Sequence, residues 1–152
     1  LHSFPTRRSS DLPTAINPSK GDIIELSAIK LEGLKLLDRF DYRLKEDNIP
    51  LEEFKKLISF DKESFVYLDS SEEILNHFKD WSDNLPLLII DNSYTNNFLE
   101  NLPNSKESIA AYLDMEYDEY NGDFIEQLIK KYNIESTNYI VDILYESLIK
   151  HL

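Results

Sequence analysis

Apolar residues recur along this chain with two distinct periods. From Asp22 to Leu31, DIIELSAIKL, residues Ile23, Ile24, Leu26, Ala28, Ile29 and Leu31 form an extended, largely apolar run without helix spacing, which predicts a strand. Glu32-Gly33 supplies a turn, and Leu34 to Leu44 alternates well enough to return as an antiparallel hairpin partner. Pro50 stands where a helical first turn begins, with Leu51, Phe54, Leu57 and Ile58 following at helical spacing, so a short helix is expected there. Ser70 with Glu73 three residues on makes a capping box ahead of Ile74, Leu75, Phe78 and Trp81. Leu85 to Ile90, LPLLII, is short, continuous and bounded by polar residues, as for a central strand covered on both faces. A helical turn follows from Asn97 to Asn101, ended by Pro103, and Ser108 to Leu113 reads either as a short strand or as the start of a helix. Phe124, Leu128, Ile129 and Tyr132 stripe one C-terminal helix, and Ile140, Ile143, Leu144, Leu148 and Leu152 stripe a second. The order is an early strand pair, helices, a strand, then mostly helices.

A chain of 152 residues carrying that pattern suits a single α/β domain with one core. Composition narrows its chemistry. The sequence contains no cysteine, which removes disulfides, thiolate metal sites and Cys nucleophiles and favours an intracellular, cytoplasmic setting. No apolar run approaches the roughly 20 residues needed to cross a bilayer, so no membrane partner is expected. The formal net charge of −13 repels a phosphate backbone unless metal ions or a local basic patch compensate, which counts against a non-specific nucleic-acid binder.

The first twelve residues, LHSFPTRRSSDL, stand apart: they are polar, have no periodic apolar face, and carry no apolar stretch after Arg7-Arg8 that would make a secretory signal. The string SFPTRRSSDL resembles the translation of a sequencing-adapter read. Residues 1–12 are therefore expected to be non-native and Asp11 is not taken as a ligand, leaving 13–152 as the domain. The alternative is a basic tail that belongs to the protein.

Several stretches, in order, resemble the proofreading-type 3′–5′ exonucleases of the DEDDh group. Ile16-Asn17-Pro18 and the run Asp22 to Lys30 are similar to that family's second strand, D-I-I-E-I-G-A-V-K, and carry the most specific part of the likeness. Phe40 to Pro50, Leu57 to Phe65, Ser71 to Asn92 and Leu128 to Leu152 are similar to its following segments. The resemblance implies a ribonuclease H-like mixed sheet flanked by helices, with the first strand missing or replaced. It also implies the 3′ end of a single-stranded nucleic acid as substrate, with a polymerase or another protein as a further partner. The family chemistry uses four carboxylates around two Mg2+ or Mn2+ ions and a histidine that helps to deprotonate water.

The residues that would carry that chemistry are depleted. The first motif, Asp-x-Glu, falls in register on Ser10 and Leu12, so the pair is absent. The second, His-Asn-x-x-Phe-Asp, falls on Asp91 to Asn96, with its aspartate position at Asn96 counted from Asn92 or at Thr95 counted back from Phe98-Leu99. Asn96 offers a metal only a neutral amide oxygen, and Asp91, the nearest acid, reads either as a ligand or as a strand-end or helix-capping residue. The third, His-x-Ala-x-x-Asp, falls on Thr137 to Asp142, keeping the aspartate and replacing the histidine by threonine, which is no base near neutral pH. Asp142 is thus the one candidate catalytic residue, with Asp142, Asn96 and Asp91 the candidate metal ligands. An acid in a first helical turn also has a plain electrostatic role there. His77 and His151 read as surface or boundary residues. Two functions follow: a 3′–5′ exonuclease domain with an inactive site, or a catalytically dead protein-interaction module on the same fold. A small acidic α/β domain with a coincidental likeness is the third reading.

Overall fold

The computed structural model describes residues 2–3, 25–45, 65–91, 93–116, 124–135 and 140–152. These form strands β1 (His2–Ser3), β2 (Glu25–Glu32), β3 (Lys35–Leu44), β4 (Val66–Leu68), β5 (Leu87–Ile89) and β6 (Lys106–Ser108). The helices are α1 (Ser71–Ser82), α2 (Ser93–Leu99), α3 (Ile109–Tyr112), α4 (Phe124–Tyr132) and α5 (Ile140–His151). The strands make one mixed sheet in the order β4-β3-β2-β1-β5-β6. β2 pairs antiparallel with β1 and β3, whereas β3–β4, β1–β5 and β5–β6 are parallel, so β2 alone runs against the other described strands.

The antiparallel hairpin lies where the alternation puts it. Its two-residue turn, Gly33-Leu34, has φ +62° at the glycine, a left-handed conformation that costs a residue without Cβ little. Period-two alternation then sorts the core. Leu26, Ala28, Phe40, Leu44, Leu87 and Ile89 face one layer, formed by Ile74 and Phe78 of α1 and Phe98 and Leu99 of α2. Ile29, Leu31, Leu88 and Ile90 face the other, formed by α3, α4 and α5. The consecutive residues Leu87, Leu88 and Ile89 are all buried, which is why this strand reads as an unbroken apolar run.

α1 begins as its sequence requires, with the Ser70 hydroxyl accepting from the Glu73 N–H at 3.2 Å. The Glu73 carboxylate accepts from the N–H of Asp69 at 3.0 Å, one residue earlier than in the usual box. Elsewhere the elements differ from expectation. The helix expected from Asn97 to Asn101 begins at Ser93 and ends at Leu99, because Thr95, Phe98 and Leu99 are the residues that bury. Ser108 closes β6 and caps α3 through its hydroxyl, so strand and helix both occur in 106–112. β4 has no forerunner in the pattern, as three residues are too few for a period. The slot between β2 and β5, where a missing or replaced strand is expected, holds β1, with His2 opposite Leu31, and Ser3 opposite both Lys30 and Leu87. The helix expected after Pro50, the start of the first strand at Asp22, and positions 4–12 lie outside the described residues. Among the described residues no helix is long and apolar enough to cross a membrane.

Candidate functional site

On the α5 side of the sheet, the hairpin register sets Glu25 opposite Arg43, Ser27 opposite Asp41 and Ile29 opposite Arg39. The apolar positions of this face thus give way to a polar ladder away from the turn. Glu25 and Arg43 pair at 3.3 Å with side chains only 3% exposed, and the Arg43 guanidinium lies 4.4 Å from the Phe65 ring centroid. Charges this deep persist only when paired and hydrogen-bonded. Asp41, also buried, accepts from the Ser27 hydroxyl at 2.9 Å and from Arg39 Nε at 3.1 Å. Arg39 Nη1 reaches Asp142 Oδ1 at 2.5 Å, joining β3 to the first turn of α5. Burial works against the Arg39 charge, but its bonds to Asp142 and Asp41 and the charges of both acids outweigh this and raise its pKa above the ordinary guanidinium value. One turn further along α5, the Tyr145 hydroxyl donates to the Leu34 carbonyl at 2.8 Å. Residues three apart share a helix face, so α5 is tied to the hairpin at two points.

Asp142 is therefore held by a guanidinium. Asp91 and Asn96 are brought together elsewhere: Asp91 follows β5, and its Oδ1 accepts from Asn96 Nδ2 of α2 at 2.8 Å. Asn96 and Asp142 belong to helices on opposite layers, and three interstrand steps separate β3 from β5, about 14 Å at the usual spacing. Among the described residues no group of three or more His, Cys, Asp or Glu side chains could hold a metal ion. Thr137, Asn92, Ser10 and Leu12 lie outside the described residues. Neither described helical histidine stands near Asp142. His77 is exposed on α1 with its ring 5.3 Å from that of Tyr42. His151 bonds the Tyr132 hydroxyl at 2.9 Å, nine residues and about 13 Å along α5 from Asp142.

Glu25, Ser27, Arg39, Asp41 and Arg43 are the site residues that the sequence did not single out. Arg39, Asp41 and Arg43 alternate with Phe40, Tyr42 and Leu44, which ordinarily marks a solvent face opposite a core face. In the folded chain Asp142 of α5 meets this face at Arg39 and the Phe65 ring lies against Arg43. No protein family, curated protein or solved structure matches this chain. Its function rests on its own residues and their arrangement.

Proposed function

We propose that the chain is a DEDDh-type 3′–5′ exonuclease domain with a ribonuclease H-like sheet that has lost hydrolytic activity, acting in the cytoplasm. The observation that carries this reading is the sheet order: the hairpin β2–β3 and the parallel strands β5–β6 lie on either side of a central slot, where the resemblance expects the family's first strand. The 3′ end of a single-stranded nucleic acid is the ligand class this reading implies, and Mg2+ or Mn2+ the metal its relatives need. The residues present do not fit a pair of such ions. Of the expected carboxylates only Asp142 stands in register, and it is bonded to Arg39.

The test is incubation of the full chain with a 3′-labelled single-stranded DNA or RNA and Mg2+ or Mn2+. No nucleotide release above background is expected. Asn96→Asp with Thr137→His leaves the chain inactive, because the first-motif pair is still missing. Metal-dependent release of single nucleotides, abolished by Asp142→Ala, would overturn the proposal.

A further inference from the structure

We infer that the groove between β2 and β5 is a strand-accepting site, which takes an extended, proline-free apolar segment of another polypeptide, running parallel to β5, in competition with β1. The site belongs to the sheet and stands whether or not the chain cleaves nucleic acid. β1 is two residues long where β2 has eight, and it enters at the turn end of the hairpin, with Ser3 opposite Lys30 on one wall and Leu87 on the other. One step beyond Ser3 along both walls stand Ile29 and Leu88, both turned to the layer of α3, α4 and α5. The next step brings Ala28 and Ile89, both turned to the layer of α1 and α2, and the third brings Ser27 and Ile90. The two walls are therefore in step, turning side chains to the same layer at each level, as the neighbours of one central strand must.

Ala28, Ile29, Leu88 and Ile89 are at most 3% exposed. A strand laid between such walls is covered on both faces, so it has to be apolar at consecutive positions and to offer N–H and C=O groups to both sides. The chain's own sequence after Ser3 is Phe4-Pro5-Thr6-Arg7-Arg8, in which the proline has no N–H to give and the arginines suit neither apolar layer. Among the described residues, the hold of the N-terminal segment on the groove is the pairing of His2 and Ser3. An apolar segment that spans the three further levels adds ladder bonds and burial on both faces, the combination by which sheets take up strands from other chains.

The experiment uses the isotope-labelled full chain and a capped peptide of alternating valine and isoleucine with lysine pairs at both ends. Its control has proline at the central position and the same charge. At ~1 mM peptide, the order of the effective concentration of a tethered segment, amide hydrogen exchange of residues 26–29 and 88–90 should slow at least about tenfold, saturating at one peptide per chain. The proline peptide should have no effect. A spin label on the peptide N-terminus should broaden the amides of Lys30 and Leu31 more than those of Glu25 and Leu26, since the segment runs against β2. Ser3→Pro, which takes an N–H from β1, should tighten peptide binding about tenfold. A Ser3→Pro chain that folds only with the peptide also supports the inference, because a ligand of the native state stabilises it. Slowed exchange confined to residues 66–68 or 106–108 overturns it in favour of an outer sheet edge. It is overturned equally by the same effect from both peptides, by the reverse orientation, or by no effect on either chain. A folded Ser3→Pro chain that binds no more tightly, or one that stays unfolded with peptide present, has the same consequence. Nucleotide release by the chain would sink the functional reading and leave this site standing.

Discussion

At the scale of single residues, the Glu25–Arg43 pair shows how a strand can be polar on a face that is not wet. Each side chain is only 3% exposed, and each charge is compensated in part by the other. Arg43→Met leaves the Glu25 carboxylate buried without this partner and should cost about 3–5 kcal/mol of stability, read as a lower urea midpoint. Replacing both charges, as Glu25→Gln with Arg43→Met, should cost less than the single change. Equal or larger loss in the double variant would mean that the pair is not the main compensation. Asp142 was singled out as a candidate because the resemblance places the third motif's aspartate there. Its partner was not, because Arg39 and Asp142 are 103 residues apart and meet only when α5 lies on the sheet.

At the scale of elements, local chemistry carried most of the information. The hairpin follows from alternation on either side of Glu32-Gly33, and α1 from Ser70 and Glu73, because caps and turns satisfy backbone groups within a few residues. Gly33 gives a clean measure of this. A Cβ built there would meet no atom within 4 Å, so Gly33→Ala changes the backbone preference without creating a clash. The expected loss is about 1 kcal/mol in equilibrium urea denaturation, with Gly33→Asn costing less because asparagine tolerates positive φ. A loss several times larger would point to a contact at the turn other than the Tyr145 bond to Leu34. β4 and β6 were harder to read, being three residues each, and their strand character comes from pairing with β3 and β5.

At the scale of the whole molecule, two groups of strands, β4-β3-β2 and β5-β6, are joined in the sheet through the two residues of β1. A strand in that slot need supply only backbone donors and acceptors, which any sequence free of proline can do. Deleting residues 1–12 should leave the facing edges of β2 and β5 unsatisfied and open to other chains. With a few ladder bonds lost, the expected cost is about 2–3 kcal/mol, a fall of roughly 5–10 °C in Tm, with higher-order species in size-exclusion chromatography. A truncated chain with the same Tm and elution volume would show that β1 contributes nothing to the assembled sheet.

By itself the sequence determined the α/β class, the hairpin and its turn, the start of α1, the buried strand at Leu87–Ile89 and the two C-terminal helices. In each case apolar period, capping or turn chemistry acts between residues close in the chain. Only the tertiary structure decided that the slot beside β2 is filled by His2–Ser3, that Asp91 turns to Asn96, and that Asp142 is claimed by Arg39. The reason is physical: the partner of a buried charge or of an open strand edge is whatever the folded chain brings alongside, and no local preference of either residue encodes it.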